Sequence, residues 1–483
     1  MSKYVALYLF VVFSSTVVCA QDTHYWSQQF GTRSALLSGA VLGEAQDNTM
    51  IYYNPGALGL IENSSISINA NAYTIESINV ENALGEQADF KSAKVGSVPL
   101  LAGGMISKED SEWKIGYAFI NPVSFDFKGV ARVDGDFDTV EEAESAGLEE
   151  TVAEASIASR TSELTFAVGL GKKVNDRLSF GISNLFTVRS HSYQRALSTY
   201  TFLNDGGPTL VGGNLIQNAD YYNVRYAAKL GMVYQLGKWS TGLTITSPSL
   251  NLFGNGTVAA NVAARNLKLI DENRISGVAT DRQAKLKSKY KSPFSVALGT
   301  NYSGKNSSFG IAAQYYAGVD MYNILDPVPG SFVRPAELAP QLQSDQFLRI
   351  RSAAKSVLNV AVGYEYIVDE SLSILASARN DMSYFDEDLN NGPGIKSSIS
   401  SWNIYHFTAG VTLKRKNSSL SLGLLYSTGG DNRYEQAGAF NPDDLDLVEG
   451  TTTITNANYS NIGLLLGYTF YFKKFNFENE GND

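Results

Sequence analysis

From Ser64 onward, large apolar side chains recur at every second position, and the positions between them are almost free of charge. The pattern is plain in Leu164/Phe166/Val168/Leu170, in Val360/Val362/Tyr364/Tyr366 and in Ile462/Leu464/Leu466/Tyr468/Phe470/Phe472. The opposite face holds Ser, Thr, Gly, Ala and Asn, as in Ser240, Gly242, Thr244 and Thr246. Period-two alternation specifies β-strands with one apolar face. A water-soluble sandwich would need charge on its other face, and here that face is small and weakly polar. The apolar face is therefore expected outside, against lipid, and the small face inside.

About fourteen such segments can be counted: 64–75, 92–107, 112–125, 160–174, 177–196, 221–236, 238–248, 285–303, 306–319, 354–367, 370–380, 401–415, 417–429 and 459–475. Their connections alternate. Short turns fall at Lys108–Ser111, Asn175-Asp176, Gly237, Gly304-Lys305, Val368-Asp369 and Lys416, and long connections fall at 76–91, 126–159, 197–220, 249–284, 320–353, 381–400 and 430–458. An even strand number with short turns at one end and long loops at the other is the layout of a transmembrane antiparallel β-barrel of a bacterial outer membrane. The fold class expected is thus all-β, with short turns in the periplasm. Tyr364/Tyr366 and Tyr468/Phe470/Phe472 near strand ends suit aromatic girdles, although ordinary β-propensity would also place them there.

The first twenty residues are set apart. Lys3 precedes the apolar run Val5–Phe13, and Val18-Cys19-Ala20 precedes Gln21, which reads as a signal peptide over 1–20. Acylation of Cys19 is the rival reading, disfavoured by the bulk of Val18. Cys19 is the sole cysteine, so disulfides and thiol chemistry are not expected after processing. The remaining organisation is an N-terminal segment over 21–62, a barrel over 63–475 and an acidic periplasmic tail over 476–483.

The N-terminal segment differs in kind from the rest. Phe30–Ile61 is rich in small residues, does not alternate, and ends in Tyr52-Tyr53-Asn54-Pro55-Gly56-Ala57-Leu58. Gly39 and Gly43 weaken any long helix. A compact segment ahead of a strand array is expected to fill the barrel lumen as a plug.

Little in the chain suggests catalysis. His24, His191 and His406 lack metal-ligand spacing, and no nucleophile elbow or phosphate loop occurs. The loop Asp386–Gly392 has the oxygen-rich look of a calcium site, but Gly falls one place late and Ser397 stands where a bidentate Glu belongs. The run Glu141–Glu154 places acids at helical spacing and predicts a short helix in the second long loop; acidic loops could bind cations that bridge lipopolysaccharide, or simply be solvated. A formal net charge of −10 argues against nucleic acid. No enzyme activity, metal or cofactor is expected.

The strand phase that turns Phe180, Ile374, Leu424 and Leu464 to lipid turns Leu185 (after a bulge), Val233, Leu375, Leu425 and Leu465 inward. These five are candidates for lining an apolar ligand's path, or for packing against the plug. Two prolines interrupt strands: Pro99 after Ser97-Val98, and Pro122 after Asn121 within YAFINPVSFDF. A closed barrel has no edge to accommodate a missing donor, so Asn121-Pro122 is expected to kink the wall and open it locally.

Together the Asp47-Asn48 and Tyr53-Asn54-Pro55 segment, the Val98-Pro99 and Asn121-Pro122 strands and the pair KLGMVYQLGKWSTGLTITSP (229–248) resemble the FadL-type outer-membrane transporters of long-chain fatty acids and other hydrophobic compounds. The likeness spans nearly the whole chain after residue 20, and only the plug motif is specific; the family's Asn-Pro-Ala-Gly-Leu is here Asn54-Pro55-Gly56-Ala57-Leu58. The resemblance implies an N-terminal hatch inside fourteen strands, passive diffusion of a hydrophobic ligand that binds in the lumen, and lateral exit at the kinked third strand. It also implies that the hatch motif Asn54, Pro55 and Gly56 abuts the kink at Asn121-Pro122. The alternative is a FadL-like accessory subunit of a protein-secretion complex, PorV-like, whose long loops bind a protein partner.

Overall fold

The computed structural model describes residues 23–44, 47–107, 111–140, 144–270, 273–330, 332–334, 343–390, 394–395, 397, 400–439 and 451–472. The expected signal peptide and the tail over 476–483 lie outside them.

The alternating segments form one closed antiparallel sheet of fourteen spans. β1 (Ser64–Val80) pairs with β2 (Phe90–Ser107) on one edge and with β19 (Thr451–Phe472) on the other, which closes the barrel. The third span is broken into β3 (Trp113–Ile120) and β4 (Ser124–Phe137). Next come the long strands β5 (Glu149–Lys173), β6 (Leu178–Phe202) and β7 (Leu210–Leu236). Two further spans are broken: β8 (Trp239–Thr246) with β9 (Leu250–Ile270), and β10 (Asn273–Lys287) with β11 (Ser295–Ser303). β12 (Ser307–Tyr316) continues into β13 (Val319–Leu325), which pairs with β14 (Ile350–Ala354) as a separate hairpin above the wall. β15 (Val357–Ile367), β16 (Leu372–Asp381), β17 (Asn403–Arg415) and β18 (Ser418–Ala439) complete the circuit.

The outer face carries an exposed apolar belt, with Phe180, Ile182, Phe186 and Val188 on β6 and Ile462, Leu464, Leu466, Tyr468 and Phe470 on β19. A belt about 25 Å tall is what a strand crossing of the hydrocarbon layer requires. β5 to β7 run far beyond it. The long connections expected over 126–159, 197–220, 249–284 and 430–458 are therefore largely strand: β4 pairs with β5 from Ser124↔Ser162 to Phe137↔Glu149, and β6 with β7 out to Phe202↔Leu210. The outward side chains there become polar, so the alternation of the lipid-facing segments is lost while the inward half persists in Ala153, Ala155 and Ile157.

The helix expected over Glu141–Glu154 is not formed where the structure describes it. From Glu149 the chain is strand, with Glu150 and Glu154 turned outward and Glu149 buried, accepting from the Thr139 amide at 2.8 Å. Pairing with β4 outweighs the weak helical spacing of the acids.

Inside, the described residues form two large apolar clusters and a small third one of Ala354, Val357 and Tyr384. The lower of the two large ones joins the N-terminal segment to inward residues of the wall. The upper one is closed by loop and rim residues, among them Leu84, Phe347, Leu348 and Trp402.

Candidate functional site

The N-terminal segment is buried almost throughout and touches the inner wall around much of its circumference. Among its described residues the only regular elements are a helical turn at Met50–Tyr53 and a 3-10 turn at Pro55–Leu60. The wall meets it with glycines. In the register they stand side by side: Gly116 opposite Gly169, Gly171 opposite Gly181, Gly181 opposite Gly231, Gly242 opposite Gly299, and Gly410 opposite Gly423. A Cβ built on Gly231 would stand 2.7 Å from the Gly56 nitrogen, one on Gly299 3.0 Å from Leu42 Cβ, and one on Gly467 2.8 Å from Thr32 Cα. Backbone approaches this close leave no room for a side chain.

Because the segment has little regular structure, its backbone groups need partners from elsewhere. Inward hydroxyls and amides of the wall supply them. Ser183 donates to Ile51 O at 2.7 Å, Thr244 to Tyr53 O at 3.1 Å, Ser179 to Gly56 O at 2.6 Å, and Asn301 to Ala40 O at 2.7 Å. Asn54 accepts from Gly56 N at 3.0 Å, and its amide donates to Leu42 O at 2.7 Å and to Met232 O at 3.0 Å. Lower down, Arg33 is buried between Glu44 and Glu365, its Nη2 2.5 Å from the latter, with Lys414 a further 3.7 Å from Glu365. Asp47 caps the Thr49 amide at 3.0 Å; burial dominates and raises its carboxyl above the usual range, against the pull of these hydrogen bonds and of Arg33.

The residues singled out in the sequence fall into two places. Asn54, Pro55 and Gly56 seat against Gly181, Gly231 and Met232 on β6 and β7. This corrects the contact implied by the resemblance: the motif seats there, and the break at Asn121-Pro122 is held by other partners. Leu185, Val233, Leu375, Leu425 and Leu465 are all buried and share one cluster with Leu36, Leu37, Leu42, Ile51 and Leu58 of the segment. Leu425 also lies beside Gly463.

At the break, three residues (Asn121–Val123) stand opposite two on β5, because Ile120 pairs with Thr165 and Ser124 with Ser162. The extra residue makes a bulge. β3 pairs with β2 from Lys114↔Ser107 to Ile120↔Leu101, and there the ladder ends. Beyond it, β4 has registered pairing with β5, and the matching half of β2 with β1. The seam between β2 and β4 is closed by side chains: buried Phe90, Phe125 and Phe127, a bond from the Lys128 amide to Ser92 Oγ at 3.1 Å, and Lys94 3.6 Å from Asp126. At its lower end the Asn121 amide nitrogen donates to Leu100 O at 2.9 Å. With its side-chain amide oriented to satisfy its neighbours, Asn121 donates to Val123 O at 2.8 Å and to Glu163 O at 2.9 Å.

Above the segment, at the level of this break, lies a set of charged residues that the sequence reading passed over. Glu163 Oε1 is 2.8 Å from Arg189 Nη1, and Oε2 is 2.7 Å from Arg225 Nη2. Both guanidinium groups lie over the Tyr290 ring, at 4.0 and 5.1 Å. Tyr290 bonds Tyr384 at 3.1 Å, and Tyr25 stacks between Tyr384 and Tyr316 at 4.5 and 4.3 Å. Nε and Nη2 of Arg189 and Nη1 of Arg225 are buried without a protein partner. Two cations share one carboxylate against an aromatic wall, which leaves donors for an anion and flat apolar surface for what is attached to it. The signal was present: Glu163, Arg189 and Arg225 occupy inward positions of lipid-crossing strands, where charge is expensive.

Of the histidines, His191 and His406 are buried and bond Thr161 at 2.8 Å and Ser427 at 2.7 Å, and His24 bonds Trp402 O at 2.9 Å. In the acidic loop a single helical turn, Glu387–Asn390, forms beside Asp386, and among the described residues no group of His, Cys, Asp and Glu could hold a metal ion.

No family model matches the sequence, and neither does any curated protein. Solved structures do. The toluene transporter TodX of P. putida superposes with a TM-score of 0.54 at 12% identity over 92% of this chain and 99% of its own. A FadL homologue of Pseudomonas aeruginosa gives 0.55 at 12% over 94% and 99%. The toluene transporter TbuX of Ralstonia pickettii gives 0.51 at 13% over 92% and 99%. The chain therefore has the fold of the FadL-type barrel.

Proposed function

We propose that this protein carries hydrophobic compounds passively across the outer membrane, and that they leave the lumen sideways through the β2–β4 seam. The observation that carries the reading is the pairing of a filled lower lumen with an unladdered wall directly above it. A solute arriving from outside meets the N-terminal segment as a hatch, while the seam beside it is closed by three phenylalanine side chains. The break sits beside Leu164, the outermost large apolar residue exposed on β5, so the seam opens at the outer edge of the lipid belt. Side-chain contacts part more readily than a ladder of backbone bonds.

The arginine pair and its tyrosines favour an amphiphile with an anionic head, of which a long-chain fatty acid is one example. The five buried leucine and valine residues serve the hatch seat. The polar extensions of β4 to β7 would stand in the lipopolysaccharide layer. The described loops turn Leu84, Phe347 and Trp402 into the lumen, which favours transport over service as a secretion subunit.

Deleting Pro122, the one surplus residue, restores two residues opposite two and an unbroken span, and so tests the exit. Uptake of a fluorescent fatty acid into vesicles should be lost while the barrel still resists denaturation by detergent. Unchanged uptake would overturn the sideways route.

A further inference from the structure

Glu163 belongs to both halves of the site. Its carboxylate is the shared counter-ion of Arg189 and Arg225. Its backbone is the splint of the broken span: Glu163 N donates to Val123 O at 2.9 Å, and Glu163 O accepts from the Asn121 side chain at 2.9 Å. All three charged side chains are buried, so they are held tightly to one another. A buried carboxylate that loses its cations is left uncompensated and must move or be solvated.

We infer that Glu163 couples occupancy of the arginine pair to opening of the β2–β4 seam; the inference rests on the transport reading above. An anionic head group entering beside Tyr290 competes with the Glu163 carboxylate for Arg189 and Arg225. The unpartnered Arg189 Nε and Nη2 and Arg225 Nη1 receive it first. As the guanidinium groups turn to the ligand, Glu163 is released, and the bulge at Asn121–Val123 loses the residue that pins it on the β5 side. The ladder on the β2 side already ends at Leu101, so what remains there is the bond from Asn121 N to Leu100 O and, further along the seam, the side-chain links of Ser92 and Lys94. A neutral compound of the same length lacks this lever. By this account the protein distinguishes anionic from neutral ligands at the exit as well as in binding.

The test uses the full chain in lipid nanodiscs, with dodecanoate as the anionic probe and dodecanol as the neutral one. Nitroxide labels at Ala93→Cys and Lys128→Cys, exposed positions on either side of the seam, report its width. In the parent, dodecanoate should lengthen the 93–128 distance and dodecanol should not. Glu163→Gln should bind dodecanoate about ten-fold more tightly, within the usual range for coupled sites, and should show the long distance without ligand. Glu163→Asp should behave as the parent. Asn121→Ala, which leaves the ion pairs intact, should bind dodecanoate as the parent does while its seam no longer responds; this arm holds even where Glu163→Gln fails to fold. Unchanged affinity in Glu163→Gln, or a seam that still responds in Asn121→Ala, would overturn the coupling. A parent that binds neither probe would instead overturn the transport reading itself.

Discussion

Gly231 faces Gly56 across the lumen wall, with 2.7 Å between the nitrogen of Gly56 and the place a Cβ on Gly231 would take. Two glycines meeting in this way bring a strand and an irregular peptide close enough for Asn54 to bond Met232 O. The seat of the N-terminal segment is built from such meetings.

Gly231→Ala should therefore destabilise the folded protein by about 1–3 kcal/mol, the usual penalty of overpacking. The atom nearest the added methyl is Asn54 Oδ1, followed by Gly56 N and the Pro55 ring at 2.7 Å, and the Asn54 side chain cannot swing away without giving up its bonds to Leu42 O, Met232 O and Gly56 N. Chemical unfolding in detergent, followed by tryptophan fluorescence, checks it. A glycine with open space, such as Gly206, should tolerate the added methyl group sterically, though its positive φ of 77° adds strain of its own.

Closing the seam covalently should stop transport. Ser92 and Lys128 face one another across it, and Cys19, in the expected signal peptide, is the only natural cysteine. In Ser92→Cys/Lys128→Cys, a short thiol cross-linker should abolish uptake of a fluorescent fatty acid, and a cleavable version should restore it on reduction. Each single variant treated alike should retain uptake.

Arg33 holds two buried carboxylates, Glu44 and Glu365. Arg33→Met should cost about 3–5 kcal/mol, because both acids lose their main counter-charge. Combining it with Glu44→Gln and Glu365→Gln should recover part of the loss. Recovery of stability in the triple variant, measured by thermal unfolding, separates a charge effect from a packing one.

Asp47 should make the N-terminal segment more stable in mild acid. Its folded value lies above the unfolded 3.8, so the stability from the proton-bound form is complete below 3.8 and is lost as pH rises through the folded value. Asp47→Asn, neutral throughout, should raise the thermal midpoint at pH 7 more than at pH 4. Equal effects at both values would show that the carboxyl does not change its protonation between them.

How much of this was legible in the sequence depended on lipid. Where strands cross the belt, outward residues must be apolar, so Leu164, Phe166 and Leu170 announced β5 without ambiguity. Beyond the belt the outward residues face water, the alternation fades, and β5 continues unannounced to Glu149. Asn121-Pro122 marked the break because proline cannot join a ladder. The partner of that break could not be read, because Glu163 is joined to it through backbone groups that every residue possesses. The arginine pair was legible in principle, as inward charge within crossing strands. The seat of Asn54-Pro55 on Gly181 and Gly231 was not, since glycines mark close approach without naming what approaches.

The glycine collar also bears on how the molecule is assembled. A peptide gripped by close contacts from β3 round to β19, with its own carbonyls bonded into the wall at several heights, does not slide through a finished ring. The strands have to gather around it, and the circle is completed where β19 meets β1. The N-terminal segment then acts as a mandrel: a chain lacking it would be expected to close late, or around the wrong circumference.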